Sequence, residues 1–286
     1  MLKDNKVIDI IQNSELCRVK NEIAMLSMNS IRMTPEITED QNIPLGMTKI
    51  GGQPDLPASI NWPSINGSYL SFIAQINLNE ISMLQNVLPK NGLLSFFYDA
   101  FEQPWGFDPK DAGRWKVIYI EETHELERKA TAAKLAEEGI FGTCKIRFSV
   151  QTTVPSWESI AIKQLNLNEN ENDLYIQLAE EVFEHNDSNG TIHRILGHPD
   201  QIQGEMKLEC QLVSNGLYCG DLTGYQDPRK EILESGAESW KLLLQIDSEE
   251  DIGMMWGDVG RIFFWIHEDD LKRNDFNKVW LVLQCS

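Results

Sequence analysis

One order of motifs occurs twice in this chain, which restricts it to folds that can hold two copies of a strand-helix-strand unit. The first occurrence begins with the turn-rich run Gly51-Gly52-Gln53-Pro54-Asp55-Leu56-Pro57. Leu70-Ser71-Phe72-Ile73-Ala74-Gln75-Ile76 follows, mostly apolar without clean alternation, as expected of a strand covered on both faces. Asn77, with Glu80 three residues on, has capping-box spacing and predicts a short helix carrying Ile81, Leu84 and Leu88, closed by Pro89 and Gly92. Leu93 to Tyr98 and Trp115 to Ile120 read as two further strands, separated by a loop holding Trp105-Gly106-Phe107-Asp108-Pro109.

Near the C-terminus the order returns. Gly197-His198-Pro199-Asp200 echoes Gly52-Gln53-Pro54-Asp55, and Gln245, Asp247 and Glu250 each stand 170 positions after Gln75, Asn77 and Glu80. Gly260 to Ile266 answers Gly92 to Tyr98 at an offset of 168, and Trp280 to Cys285 answers Trp115 to Ile120 at 165. Offsets that drift slowly are what loop-length changes in a duplicated unit produce. The expectation is an α+β fold, internally duplicated, with two pseudo-symmetric and mainly antiparallel sheets under covering helices.

The boundaries follow from the motifs. Residues 46–286 form a single domain of two repeats, approximately 46–121 and 192–286, joined by a helical connection over 122–191. Within that connection Leu126, Ala130, Ala133 and Leu135 suggest one helix stopped by Gly139, and Asn172 or Asp173 caps another burying Leu174, Leu178 and Val182. Met206, Cys210, Val213 and Leu217 make a further helical stripe, and Asp227-Pro228 starts another helix. Residues 1–45 read as an N-terminal helical segment packing on the core, with Leu16, Val19, Ile23 and Leu26 on one face and Ser14 as cap. Pro35, Pro44 and the polar Thr38 to Asn42 read as loop.

Charge narrows the partners. A formal net charge of −19 repels a backbone polyanion, so nucleic acid is not expected, and a basic protein is the partner class the field favours. No run is long and apolar enough for a membrane span, and no export signal is visible. Five irregularly spaced cysteines without Cys-x-x-Cys suggest neither a disulfide framework nor a zinc knuckle, and the expected compartment is the cytoplasm.

No catalytic motif is present for phosphate, dinucleotide, serine-hydrolase or metalloprotease chemistry, and no cofactor is implied. Asp187-Ser188-Asn189-Gly190 resembles part of a calcium loop, but its Gly would put His185 in the first ligand position, which favours a plain turn. His193, His198 and Asp200 would need a loop to converge on a metal, and His198 occupies the slot of Gln53 in the first repeat, so no metal site is assigned. Gln75 and Gln245 place amides in apolar strands. Each must bond a partner, either loop backbone from the Gly-x-Pro-Asp turns, the other glutamine, or a ligand in a polar pocket between the repeats. Trp105 and Trp256 sit in loop-like contexts suited to stacking a sugar or anchoring a partner, or to plugging the end of a sheet. Asp108 and Asp258 would be an acid-base pair if the repeats met face to face; otherwise Asp108 fixes a turn and Asp258 pairs with Arg261. The candidate binding residues are therefore Gln75, Trp105, Asp108, Gln245, Trp256, Asp258 and Arg261.

Gly51 to Pro57, Phe72-Ile73-Ala74-Gln75-Ile76-Asn77-Leu78, Trp105 to Pro109, Pro155-Ser156-Trp157-Glu158-Ser159 and Gly257 to Ile266 together resemble the YwqG-like family of uncharacterised bacterial proteins. The resemblance runs from about Gly51 to the C-terminus. It implies an α+β architecture with antiparallel sheets and a duplicated core, and no established reaction. Some relatives resemble members of toxin and immunity gene neighbourhoods, which suits an acidic immunity-type or inhibitor-type partner of a basic protein. The expected function is a non-enzymatic binding protein, with a protein partner ahead of a small ligand. The rival expectation is a small-molecule or carbohydrate-active enzyme using carboxylates in the cleft between the repeats.

Overall fold

A computed structural model describes residues 3–186 and 190–286. The strands in chain order are β1 (Met28–Ile37), β2 (Lys49–Gly51), β3 (Asp55–Pro57), β4 (Ser64–Ile65), β5 (Ser68–Tyr69), β6 (Ser71–Asn77), β7 (Leu93–Tyr98) and β8 (Trp115–Ile120), followed by β9 (Leu126–Arg128), β10 (Thr143–Thr153), β11 (His193–Ile195), β12 (Trp240–Asp247), β13 (Arg261–His267) and β14 (Trp280–Gln284). The helices are α1 (Asn5–Asn13), α2 (Lys20–Leu26), α3 (Leu78–Ile81), α4 (Ile160–Lys163), α5 (Glu169–Asn186), α6 (Met206–Ser214), α7 (Leu222–Gln226), α8 (Lys230–Leu233) and α9 (Glu268–Lys272).

Ten strands form one antiparallel sheet in the order β14-β13-β12-β11-β1-β10-β2-β6-β7-β8. The expectation of two separate sheets is corrected here, because the long central pair β1 and β10 fuses them, in register from Met28↔Thr153 to Ile37↔Cys144. Both strands lie where the sequence reading placed loop or helix. β10 alternates exposed Lys145, Arg147 and Ser149 with half-buried Ile146, Phe148 and Val150, a period-two pattern inside the supposed helical connection. β1 contains Pro35, which pairs with Ile146 on the β10 side but lies beyond Met33, the last residue that β11 reaches. Its missing N–H therefore costs no ladder bond on the β11 edge.

The sheet curls until its ends nearly meet. The indole N–H of Trp115 on β8 donates to the Val279 carbonyl at 2.8 Å, and its ring packs edge-on against Trp280 of β14 at 4.9 Å. Inside, Phe96 and Phe264 from opposite walls touch at 5.1 Å. The loop after β7 crosses to β14, where Leu283 N–H donates to the Trp105 carbonyl at 3.0 Å and Trp280 donates to the Gly106 carbonyl at 2.8 Å. Gly106 has φ +87, and a Cβ there would overlap the Leu281 carbonyl oxygen, so only glycine lets the two backbones meet. Backbone therefore fills the place where the sequence reading put an open cleft between the repeats.

A second, smaller core lies outside the sheet. Val7, Ile11, Leu16, Val19 and Ile23 pack against Tyr175, Leu178 and Val182 of α5. Two short helices replace the single N-terminal helix expected, and Ser14 ends α1 instead of starting α2. Asn168 caps α5, its Oδ1 accepting from Glu171 N–H while Glu171 Oε2 accepts from Asn168 N–H, both at 3.0 Å. The stretch 123–138 forms β9, irregular chain and the start of a single 3-10 turn at Glu137–Gly139 in place of the helix expected.

Candidate functional site

Two buried polar clusters organise the molecule. In the first, Gln75 Oε1 accepts from Asp55 N–H at 2.9 Å, and its Nε2 donates to the Met47 carbonyl at 2.8 Å and to Asp55 Oδ2 at 2.7 Å. Gly51 and Gly52, at φ +69 and +74, turn the chain after β2 so that Asp55 returns to the strand. Lys49, in register with Gln75 and fully buried, sets its ammonium 2.7 Å from Asp40 and 3.7 Å from Asp55. Arg128 of β9 closes the top, its Nε donating to Asp55 Oδ1 at 2.9 Å. Burial pushes the Asp55 carboxyl up, yet the bonds from Arg128, Gln75 and the Gly46 N–H hold it below its ordinary range. Burial also pulls the Lys49 ammonium down, against the attraction of Asp40 and Asp55.

The second cluster uses the same contacts. Gln245 Oε1 accepts from Asp200 N–H at 3.0 Å, and its Nε2 donates to the Ile192 carbonyl at 2.8 Å and to Asp200 Oδ2 at 3.0 Å. Leu196 and Gly197 supply the positive φ values, +60 and +79. Arg194 stands in register with Gln245, as Lys49 does with Gln75, and pairs with Asp200 Oδ2 at 2.6 Å. Both β6 and β12 carry a bulge two positions before the glutamine, between Phe72 and Ala74 and between Leu242 and Leu244. Among the described residues no strand lies over Asp200 as β9 lies over Asp55.

In place of that cover the second cluster opens into a groove of about 650 Å³. Arg194, His198, Asp200 and Arg261 line its base, and α5 with the 155–158 segment forms the opposite wall. The base is neutralised internally: Arg194 faces Asp200, and Arg261 lies 3.2 Å from Asp247 while donating to the Asp200 carbonyl at 2.7 Å. The rim carries Trp157 and Phe183, 51% and 42% exposed, together with Glu158, Glu180 and Glu184. Glu180 and Glu184 are one helical turn apart, a repulsive spacing that a cation would relieve.

Past Glu158 and Gln203 the groove continues into a cavity of about 550 Å³ lined by Trp105, Glu205, Glu209 and Tyr225. Burial raises both glutamates, Glu209 to about 7 even though Tyr225 bonds it. Glu205 caps α6 by accepting from Lys207 N–H at 2.9 Å. Cys219 in the same cavity is pushed up to about 12 by burial and the nearby Glu209, which disfavours the thiolate form.

Of the residues singled out in the sequence, Arg261 lies in the groove, Gln245 beneath it and Trp105 in the adjoining cavity. The others are elsewhere. Gln75 belongs to the closed cluster, and both glutamines bond the Gly-x-Pro-Asp turns instead of each other. Trp256 is wholly buried, packed between Tyr98 and Phe141 with its N–H on the Asp247 carbonyl, so the loop-anchor expectation is corrected. Asp108 caps a single turn through Lys110 N–H, and neither it nor Asp258 lines the groove or its adjoining cavity. Arg261 pairs with Asp247, correcting the proposed pairing with Asp258.

His193 and His198 point to different neighbours. His193 Nδ1 accepts from Asp247 N–H at 3.1 Å, which leaves Nε2 to donate to Glu249 at 3.3 Å. His198 Nε2 donates to the Leu26 carbonyl at 2.9 Å, and burial lowers its pKa to about 3. No three metal-binding side chains converge among the described residues. The calcium-loop fragment at Asp187-Ser188-Asn189 lies outside the described residues.

Sequence reasoning passed over Arg194, Glu205 and Glu209, and used Trp157 only as part of a family motif. Arg194 interrupts the apolar run Ile192 to Leu196, which is the signature of a buried cation needing a partner. Glu205 and Glu209 flank the apolar stripe of α6 at helical spacing, and nothing in their types separates them from a solvated face.

No curated protein matches this chain. A family profile described as a domain of unknown function, DUF1963, matches residues 48–285, which takes in the second polar cluster, the groove, the adjoining cavity and, of the first cluster, Lys49, Asp55, Gln75 and Arg128. The chain belongs to that family.

Proposed function

We propose that this is a non-enzymatic binding protein that holds a basic segment of a protein partner in the groove over Asp200. The observation that carries the reading is the contrast between a charge-neutralised base and a rim with exposed Trp157 and Phe183 beside Glu158, Glu180 and Glu184. An aromatic anchor ringed by carboxylates fits a segment alternating apolar and basic side chains, and the net charge of −19 steers such a partner inward. The immunity-type or inhibitor-type role and the YwqG-like assignment within the family belong to the same proposal. So does work in a reducing compartment, in keeping with five free cysteines. We further infer that the two polar clusters descend from one duplicated unit, on the strength of their matched glutamine bonds, bulges and positive-φ turns.

The test is recovery of a stoichiometric partner at moderate salt by the wild-type chain and by a Trp157→Ala, Glu180→Lys, Glu184→Lys variant. Loss with the variant and weakening at high salt support the reading. Equal recovery by both chains would refute it.

A second reading, a small-molecule or carbohydrate-active enzyme, is favoured by Glu209, held near 7 beside Glu205 in a cavity with Trp105 and Tyr225. These carboxylates replace Asp108 and Asp258 in that role. Carboxyl-resolved NMR titration decides the premise: a Glu209 midpoint near the ordinary glutamate value removes the poised acid and the reading with it.

A further inference from the structure

Each of the two long central strands outruns its outer neighbour. β2 pairs with β10 only from Thr143 to Lys145, while β10 runs on to Thr153; β11 pairs with β1 only from Ile31 to Met33, while β1 runs on to Ile37. In an antiparallel ladder the N–H and C=O of one residue face one neighbour, and those of the next residue face the other. Thr38 N–H donates to the Thr143 carbonyl at 2.9 Å, which turns Thr143, Lys145, Arg147 and Ser149 toward β1. The N–H and C=O groups of Ile146, Phe148 and Val150 therefore face the other way, past the end of β2. The ladder stops there because the next donor in line, Thr48 N–H, goes to Glu80 Oε2 at 2.8 Å. At the far end Asn186 Nδ2 donates to the Thr152 carbonyl at 2.8 Å. Between these two stops, no hydrogen bond among the described residues reaches the backbone of Ile146, Phe148 or Val150 on that side.

The matching edge of β1 is blocked. Arg32 stands in register with Arg194 as Lys145 does with Lys49, so three positions on, Pro35 of β1 corresponds to Phe148 of β10. A proline there offers no N–H to an incoming strand, one of the ways in which natural sheets blunt an edge. Phe148 keeps its donor, and half-buried Ile146 and Val150 extend an apolar row on its face of the strand.

The outward row is Lys145, Arg147 and Ser149, all exposed. Lys145 pairs with Glu36 at 2.9 Å, and Arg147 has no ion-pair partner among the described residues. On a chain of net charge −19 this is a local positive stretch. Such charges deter a strand of like charge and leave the edge open to one that brings carboxylates opposite them.

We propose that β10 accepts an added strand from a partner protein, an extended segment alternating apolar and acidic side chains. Its backbone pairs with Ile146, Phe148 and Val150, its apolar side chains continue their row, and its carboxylates meet Arg147 and Lys145 on the outer face. The edge seats about five residues at strand spacing. The site is independent of the groove proposed for a basic segment.

The test is a backbone-amide NMR study of the full chain. In the free protein the amides of Phe148 and Val150 should exchange with solvent at least about 100-fold faster than those of Arg147 and Ser149, which β1 protects. A blocked seven-residue peptide alternating valine with glutamate should shift and protect the Ile146, Phe148 and Val150 amides. The same peptide with lysine for glutamate, or with N-methyl groups on the amides that face β10, should bind at least about 10-fold more weakly. Phe148→Pro, which copies Pro35 and removes an N–H that β1 does not use, should abolish binding. Arg147→Glu, at an exposed position, should reverse the preference to the lysine peptide whether or not the proline variant folds. Trp157→Ala should leave peptide binding unchanged, which separates this site from the groove. Protected Phe148 and Val150 amides in the free chain, no binding of the glutamate peptide, equal binding of the N-methylated or lysine peptide, or an unchanged preference in Arg147→Glu would overturn the proposal.

Discussion

The two polar clusters share a glutamine, an aspartate, a strand cation and a pair of positive-φ residues, yet one is sealed and the other opens to solvent. Around Asp55 the second cation, Arg128, arrives on a strand that pairs with β3, and the carboxylate is fully buried. Around Asp200 no strand among the described residues gives the corresponding cover, and the same hydrogen bonds form the base of a groove. The bonding is a structural device in both places. What differs is access, so the candidate site is defined by the absence of β9 over the second cluster and not by any residue type that only this cluster has.

The comparison breaks most easily at the aspartates. Asp55→Asn removes the fully buried one of the two carboxylates that Lys49 and Arg128 share and leaves them only Asp40, and a loss of about 3–5 kcal/mol is expected in urea denaturation. Asp200→Asn should cost about 1–3 kcal/mol, because the Asp200 carboxylate is 13% exposed to the groove where that of Asp55 is fully buried. Equal losses would mean that the two sites are equally dry. Arg128→Ala sharpens the same point by uncovering the first cluster. The expected cost is about 2–3 kcal/mol, less than removing Asp55 because Lys49 keeps both carboxylates.

Much of the frame was legible before any coordinates. Six strands, β6 to β8 and β12 to β14, lie where apolar runs bounded by turn residues placed them, since doubly covered strands announce themselves by composition. The central pair was not. β1 is disguised by Pro35, whose cost depends on which edge its nitrogen faces, and β10 by its charged outer face. The bonding of Gln75 and Gln245 to the turns was readable as one alternative, because a buried amide demands partners and a Gly-x-Pro-Asp run precedes each of the two strands. The groove was not readable, since it depends on α5 standing off the second cluster, a distance no sequence pattern encodes.

Glu209 separates the cavity beside the groove from the sealed first half in another way. Its carboxyl is raised to about 7 by burial, so the folded state holds its proton more tightly than the unfolded state. Stability from this group is therefore intact below the ordinary glutamate range and falls as pH rises toward 7. Glu209→Gln should stabilise the protein by about 2 kcal/mol at pH 8 and by nearly nothing at pH 4, followed by thermal unfolding across that range. A pH-independent difference would show that the side chain is solvated and the cavity less enclosed than the groove beside it.

The smallest effect on stability is the sharpest on function. Trp157 is 51% exposed, stands in a turn with Glu158 after Pro155-Ser156, and is absent from the residues that build either polar cluster or the small helical core. Trp157→Ala should change unfolding free energy by less than about 0.5 kcal/mol, as for surface positions in general. If the groove anchors a partner through this ring, the same change should weaken that complex at least about 10-fold, acting on dissociation more than association, because the charged rim that steers encounter is left intact. Slower association with unchanged dissociation would instead place the recognition in the acidic field, and the open cluster would then differ from the closed one only in how much water it admits.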